Sequence, residues 1–371
     1  MIVVAVSAGI DSMVLLDYLY HQNEEIVIAH VNYQKREDSY LDALTIKEYI
    51  KDKEIIFEQL IVNKEDYTNE NFQAQARHIR YDFFEYVAKK YHTDQVYVAH
   101  HRDDFLETYL FQKERTGLYN YYGIQAQTNY RKLVINRPLL NYYKEDLENY
   151  ANSKQINYHE DYSNYEFDYT RNVNRNLLGK LSIAEKEKIY EEAMASNKII
   201  EQENAFVNNN LVNYLSIEYF LSWPENIQRR WLFKQIKKYD ITLKYLDEII
   251  RKIKHSNNFK VTFLDTTIVK AYAIIYVLDY LLEDYSYLIT NDAEYDDFIN
   301  LWQQKYNYPL IKKEMKYPFT IRNYNRNDLD GLGIDYKKFR LKIKKNKVPF
   351  FLRDYLPVIV KDNEVFFIFN Y

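Results

Sequence analysis

The first half of the chain alternates short apolar runs with longer stretches of helical periodicity. Four runs rich in Val and Ile cover residues 3–6, 26–31, 55–62 and 96–99. Helical patterns follow them over residues 12–20, 41–50, 72–91 and 105–111. Continuous apolar strands that alternate with helices are typical of a parallel sheet covered on both faces. The pattern predicts a doubly wound α/β fold with ligands at the carboxyl ends of the strands.

The pattern changes twice in the second half. From about residue 183 the strand signal fades and charged amphipathic stretches follow, and past residue 308 short apolar runs return at 319–322, 357–360 and 365–369. A chain of 371 residues is long enough for two or three domains. We predict a doubly wound domain over residues 1–185, a linker helix and helical domain over 186–310, and a small C-terminal α/β domain over 311–371.

Composition excludes several kinds of chemistry. The chain has no cysteine, so it has no disulfide, thiolate metal site, iron–sulfur cluster or cysteine nucleophile. The start MIVVAV lacks a basic leader, and no apolar run approaches the roughly 20 residues of a membrane span. We therefore expect a cytoplasmic protein. A net charge of -4 means that any nucleic acid must bind to local basic patches.

A phosphate-binding loop is predicted directly after the first strand. Small residues at a helix N-terminus point backbone N–H groups and the positive end of the helix dipole at one spot, which suits a pyrophosphate. The alternative is a tight turn in which Asp11 or Ser12 caps the helix. A carboxylate beside phosphates suggests that Asp11 binds Mg²⁺ or orients the loop. The loop consists of Ser7, Ala8, Gly9, Ile10, Asp11 and Ser12.

Acidic and histidine side chains cluster after the fourth strand. Such a set can bind Mg²⁺, accept a proton from an amine or hold a substrate ammonium. The alternative is a carboxylate cluster that caps a helix, which leaves the histidines unexplained. The cluster consists of His100, His101, Asp103, Asp104 and Glu107.

Basic residues form three candidate contacts for RNA. Arg77 and Arg80 share a helix face with Tyr81, and Arg171 and Arg175 lie four residues apart. Surface ion pairing is the alternative for the second pair. Residues 337–347 carry seven basic side chains and no acidic one, for which a solvated basic helix is the alternative.

The motifs resemble one family. The first loop is similar to the S-G-G-x-D-S signature of the PP-loop ATP-pyrophosphatases, with Ala8 at the position of a family glycine. Four further segments, in order and spacing, resemble the tRNA(Ile)-lysidine synthetases, although Tyr33 replaces a family histidine. These segments are His30-Val31-Asn32-Tyr33, then Gln73 to Arg77 with Arg80 and Tyr81, then Ala99 to Asp104 with Glu107 and Thr108, and Asp161 to Asn164 with Tyr169, Arg171, Asn172 and Arg175.

The resemblance implies an activity and roles for residues. ATP and Mg²⁺ would activate the wobble cytidine of the tRNA(Ile) with a CAU anticodon, and L-lysine would displace AMP to form lysidine, which switches decoding from AUG to AUA. His30 and Asn32 would join the loop in binding ATP, with Asp11 and Asp103 as metal ligands. The implied catalytic residues are Asp11, His100, Asp103, Asp104 and Glu107. The implied tRNA contacts are Arg77, Arg80, Arg171, Arg175, Lys337, Lys338, Lys342 and Arg353.

Two other functions stay open at this point. An ammonia-dependent PP-loop ligase of the NAD or GMP synthetase type would use the same loop, whereas sulfur-inserting relatives need a cysteine that the chain lacks. A tRNA-binding relative without activity is suggested by Ala8 and Tyr33. The sequence also leaves the oligomeric state open, with a homodimer as one alternative.

Overall fold

The structure is a computed structural model that describes residues 1–22, 24–35, 37–63, 72–115, 117–159, 169–236, 241–263, 266–278 and 283–369. It divides into two compact units, Met1–Ile200 and Glu201–Tyr371. No helix among these residues is long and apolar enough to cross a membrane.

The first unit is built on a mixed six-stranded sheet, and the predicted fold class is confirmed. The strands are β1 (Ile2–Ala5), β2 (Ile26–Asn32), β3 (Ile56–Ile61), β4 (Gln95–Tyr97), β5 (Gln127–Tyr130) and β6 (Leu133–Asn136). The helices are α1 (Ile10–Tyr20), α2 (Tyr40–Ile50), α3 (Phe72–Lys90), α4 (Arg102–Glu114), α5 (Lys144–Lys154), α6 (Tyr169–Leu178) and α7 (Ile183–Asn208), the last of which runs into the second unit.

The strand order creates a crevice beside β1. The order is β3-β2-β1-β4-β6-β5, with all neighbours parallel except β5 and β6. The chain adds β2 and β3 on one side of β1 and then crosses to place β4 on the other side. Loops from β1 and β4 therefore diverge at a topological switch point, where open α/β sheets bind ligands. Apolar clusters cover both faces, one around Val4, Leu15 and Ile28 and the other around Val3, Val27 and Phe84.

The second unit contains two four-stranded sheets, ordered β7-β10-β9-β8 and β11-β12-β13-β14. Its strands are β7 (Tyr214–Ser216), β8 (Asn258–Thr262), β9 (Thr267–Ala271), β10 (Ile274–Leu278), β11 (Ser286–Ile289), β12 (Phe319–Asn323), β13 (Pro357–Lys361) and β14 (Glu364–Ile368). Its helices are α8 (Ile217–Ser222), α9 (Glu225–Ile236), α10 (Leu243–His255), α11 (Asp292–Tyr306), α12 (Arg326–Gly331) and α13 (Tyr336–Lys345). The sheet of β7 to β10 is a feature that the hydrophobic pattern did not indicate.

Candidate active site

The loop between β1 and α1 is held by its own serines. Ser7 N–H donates to Ser12 Oγ at 3.1 Å, and Ser12 Oγ donates to the Gly9 carbonyl at 2.8 Å. Gly9 is extended and is the N-cap of α1 without a side-chain cap. The first turn of α1 thus opens at the carboxyl end of β1, where its dipole favours an anion.

Ala8 adopts a backbone conformation that normally requires glycine. Its φ is +69°, and its side chain is fully buried. A left-handed conformation costs an L-residue about 1–2 kcal/mol. The His159 N–H donates to the Ala8 carbonyl at 3.0 Å and helps to hold this geometry. The backbone of Ala8 is therefore strained at the position of the family glycine, and the surrounding chain holds it in this conformation.

His30 and Asn32 lie at the carboxyl end of β2 and fix backbone segments. His30 is buried, and its Nδ1 lies 2.8 Å from the Val6 carbonyl, so Nδ1 carries the donated proton. Burial lowers the pKa of His30. Asn32 donates to the Ser39 carbonyl at 3.1 Å and accepts from Gln34 N–H at 2.8 Å. Both residues thus support the backbone around the predicted ATP site.

Three carboxylates surround His101 at the start of α4. Its Nε2 lies 3.5 Å from Asp104 Oδ2 and 3.9 Å from Asp11 Oδ2, and its Nδ1 lies 3.6 Å from Asp103 Oδ2. Burial alone would lower the pKa of His101, but the three negative charges outweigh it and raise this pKa. His101 thus lies between Asp11 of the phosphate loop and two carboxylates of α4.

Two lysines complete this cluster. Lys144 Nζ donates to Asp11 Oδ1 at 2.6 Å, while the Lys144 N–H donates to Asp103 Oδ2 at 2.8 Å. Lys186 Nζ donates to Asp103 Oδ1 at 2.5 Å. Burial would raise the pKa of Asp103, but His101, Lys186 and the Lys144 N–H together hold this pKa well below its usual range. Asp103 thus stays ionised, with its two oxygens held by the Lys144 N–H and by Lys186 Nζ.

The remaining predicted catalytic residues have distinct surroundings. Burial lowers the pKa of His100 to about 4, against the opposing charge of Asp104, so His100 is neutral at pH 7. Asp104 accepts from the His101 N–H at 2.9 Å in a capping box. Glu107 is buried and accepts from Arg175 Nε at 3.3 Å. Asp104 therefore caps α4, as the alternative interpretation of the sequence predicts, and it also lies close to the His101 ring.

The two predicted magnesium ligands, Asp11 and Asp103, differ in the contacts that they already make. Mg²⁺ is commonly held by one or two carboxylates together with substrate phosphates. Asp11 directs Oδ1 to Lys144, whereas Asp103 already uses both oxygens for Lys186 and the Lys144 N–H. Among the described residues, no group of three or more His, Asp or Glu side chains is arranged to hold a metal ion. Asp11 therefore accepts fewer hydrogen bonds than Asp103, the other predicted magnesium ligand.

Comparison with known proteins places this chain in a family. The PP-loop domain family matches residues 1–181. The tRNA(Ile)-lysidine synthase of Mesoplasma florum is 33% identical over 86% of this chain and 84% of its own length. The chain belongs to the tRNA(Ile)-lysidine synthase family. The lysidine synthase of Mycoplasma mycoides is 34% identical over 80% of this chain and 77% of its own length, and that of Mycoplasmopsis pulmonis is 41% identical over 48% and 62%.

Membership in this family makes the lysidine synthase relative a PP-loop ligase that binds ATP. The two alternatives that the sequence left open, an ammonia-dependent ligase and an inactive tRNA-binding relative, are not favoured.

The predicted tRNA-binding arginines lie on two helices of the first unit. Arg77 and Arg80 are exposed on α3, where the Arg77 guanidinium lies 4.7 Å from the Tyr81 ring centroid. Asp161 to Asn164 and the side chain of Arg171 lie outside the described residues.

The predicted contacts in the second unit of this family member lie on and beside α13. Phe339 and Ile343 are its buried side, which leaves Lys337, Lys338 and Lys342 exposed. Arg353 has a local role, because its Nε donates to the Val348 carbonyl at 3.0 Å.

Sequence reasoning missed Lys144 and Lys186. Neither residue belongs to a motif that carries the lysidine synthetase resemblance, and no spacing connects either to Asp11 or Asp103. Lys144 does carry a partial signal in the sequence, because a cation in the first turn of a helix opposes the helix dipole. A lysine at this position therefore indicates a role other than stabilising the helix.

Proposed function

We propose that this chain adenylates the wobble cytidine of a tRNA(Ile) with a CAU anticodon and then joins L-lysine to it, forming lysidine. The observation that carries the proposal is the convergence of the phosphate loop and the carboxylate–histidine cluster at the switch point between β1 and β4. Lys144 Nζ, at 2.6 Å from Asp11 Oδ1, and His101 physically connect the two. Family membership supplies the substrate class.

The first step transfers an adenylyl group to the base. The loop from Ser7 to Ser12 and the N-terminus of α1 bind the phosphates of ATP. The carbonyl oxygen of cytosine attacks the α-phosphorus, the bond to the bridging oxygen breaks, and pyrophosphate leaves with the electron pair. Mg²⁺ bound at Asp11 would neutralise charge on the departing pyrophosphate. The His101 ring, whose Nε2 lies 3.9 Å from Asp11 Oδ2, is a hydrogen-bond donor at the same place.

The second step displaces AMP with an amine. The ε-nitrogen of lysine attacks the activated ring carbon, AMP leaves with the electrons of the carbon–oxygen bond, and the ammonium proton passes to a carboxylate. Asp103 is a poor acceptor because its pKa is held low. We assign proton acceptance to Asp104 or Glu107, and the anchoring of cations to Asp103. His100 belongs to the same segment of the chain and, being neutral, adds no charge to it.

The tRNA contacts follow the basic surfaces. Arg77, Arg80 and Arg175 are exposed in the first unit, and Lys337, Lys338 and Lys342 are exposed in the second. Phosphate contacts position a nucleic acid without reading its sequence. An unpaired wobble base in an anticodon loop needs little energy to leave its stack, which suits a modifying enzyme. We place the reaction in the cytoplasm, where tRNA, ATP and free lysine occur together.

The decisive experiment follows the lysine. The protein is incubated with Mg-ATP, isotopically labelled lysine and a tRNA(Ile) transcript that carries the CAU anticodon, and the nucleosides are analysed by mass spectrometry. We expect one cytidine to gain the mass of labelled lysine less water, and no gain without ATP. An Asp11→Asn variant should bind tRNA but release no AMP. Turnover of deamido-NAD or xanthosine monophosphate with ammonia, in place of the lysine gain, would overturn the proposal.

A further inference from the structure

Lys144 combines a fixed backbone with a side chain that reaches the phosphate loop. It is the first residue of α5, and its N–H donates to Asp103 Oδ2 at 2.8 Å. The preceding turn is also anchored, because the Arg102 N–H donates to the Tyr142 carbonyl at 2.8 Å and the Tyr143 N–H donates to Asp146 Oδ2 at 2.8 Å. The Cα of Lys144 is thus held, while its four-carbon stem ends at Asp11.

The position of Lys144 is not explained by the stability of α5. A cation in the first turn of a helix opposes the helix dipole, so this position does not stabilise α5. The side chains of Lys144 and Asp11 are 35% and 33% exposed, and partly exposed ion pairs contribute little to stability. Neither the helix nor the ion pair accounts for a lysine at this position, whereas an anionic ligand of the loop would.

We propose that Lys144 is a phosphate-binding residue for the nucleotide, whose ammonium pairs with Asp11 before ATP binds and moves to a phosphate oxygen when ATP enters. This inference rests on the proposed function, since it requires ATP in the loop. The long flexible stem lets the ammonium act as a mobile point charge, as lysines do in other phosphate sites. Release of Asp11 at the same moment leaves its carboxylate available within the nucleotide site.

A purely structural role of Lys144 predicts a different effect on ligand binding. If Lys144 only neutralised Asp11, its loss would lower the stability of the fold and affect all ligands of the loop alike. A phosphate-binding residue instead discriminates between ligands with phosphates and ligands without them. Equilibrium binding of ATP, inorganic pyrophosphate and adenosine to the full chain separates the two roles without relying on turnover.

The matched variants are Lys144→Met, Lys144→Arg and Lys113→Met. Lys113 Nζ lies 2.5 Å from Glu192 Oε1 in an exposed ion pair on the same unit, so its loss removes one charge outside the site. By titration calorimetry we expect Lys144→Met to weaken ATP and pyrophosphate binding by about tenfold or more, as for a missing charge-assisted hydrogen bond. Lys144→Arg should stay close to wild type, and Lys113→Met should not alter binding. Adenosine should bind all four proteins equally.

A measurement on the wild-type protein covers the case in which Lys144→Met does not fold. Lysines are acetylated at low reagent concentration and the labelling of each is read by peptide mass spectrometry. We expect ATP and pyrophosphate, but not adenosine, to protect Lys144, with Lys113 labelled equally throughout. Unchanged labelling of Lys144, or unchanged ATP affinity in Lys144→Met, overturns the inference even where lysidine is formed. ATP binding that depends on Lys144 without lysidine formation overturns the proposed function alone.

Discussion

Neighbouring histidines in this site differ in pKa because their surroundings differ. His100 and His101 are adjacent in the sequence, yet burial lowers the pKa of His100 to about 4, whereas three carboxylates raise that of His101. Ala8 shows the same dependence on context, since its φ of +69° costs an L-residue free energy that the packed loop offsets. Residue type alone therefore does not assign a role here.

His30 makes acid stability a test of the loop support. Its folded pKa is lowered by burial, so below about pH 6.5 the unfolded chain binds a proton that the folded chain resists. Stability therefore falls as the pH decreases from 6.5. We expect His30→Asn, which keeps a donor near the Val6 carbonyl, to remove a slope of up to about 1.4 kcal/mol per pH unit in urea unfolding. The exposed His255→Asn serves as control, and an identical pH profile for His30→Asn would contradict this account.

Among the elements, the N-terminus of α4 combines two roles that sequence reasoning treated as alternatives. Asp104 caps the helix through the His101 N–H and also faces the His101 ring. The helix N-terminus stabilises the carboxylates of its first turn, and these carboxylates in turn create the charged site. A helix cap and a member of the charged cluster can therefore be the same side chain.

Asp104→Asn separates these roles, because an amide oxygen can still accept the capping hydrogen bond. We expect a change in unfolding free energy of about 1 kcal/mol or less, measured in urea. Lysidine formation should fall by about a hundredfold or more, since the amide cannot take a proton. Glu294→Gln is the control outside the site, because the Glu294 carboxylate accepts from the Thr290 N–H at 2.7 Å at the start of α11. Full activity of Asp104→Asn would reduce Asp104 to a cap.

For the whole molecule, the distribution of charge matters more than its sum. The net charge is -4, yet the exposed lysines of α13 form a concentrated basic surface in the second unit. Binding of a polyanion by such a surface releases counterions and depends strongly on salt. The second unit thus supplies positive charge that the overall composition conceals.

Replacing Lys337, Lys338 and Lys342 with Ala tests this surface. We expect weaker tRNA binding, and a log–log salt dependence that is shallower by about 0.7–0.9 for each phosphate that the protein no longer neutralises. ATP binding should not change. Filter binding at several salt concentrations measures both the affinity for tRNA and its salt dependence. The triple replacement of Lys312, Lys313 and Lys316 controls for net charge, and equally weakened binding in both triples would mean that α13 has no special role.

The sequence by itself determined the elements that depend on local pattern. The predicted strand at 26–31 is β2 at Ile26–Asn32, and the predicted helix at 72–91 is α3 at Phe72–Lys90, because apolar periodicity marks buried faces directly. The pattern predicts the start of α4 at 105 instead of Arg102, since the first turn of this helix is polar. It does not predict the sheet of β7 to β10, because the buried runs of β9 and β10 are five residues long and periodicity alone does not distinguish so short an apolar run from part of a buried helix.

Only the tertiary structure decided which side chains of the site contact one another. Lys144 meets Asp11 across 133 residues of sequence, Lys186 meets Asp103 across 83, and Arg175 meets Glu107 across 68. No local periodicity encodes such pairs, because they form only when the β1 and β4 loops open at the same switch point. The motifs indicate which chemical groups are present. The fold decided which carboxylate holds a cation, which histidine lies among carboxylates and which lysine faces the phosphate loop.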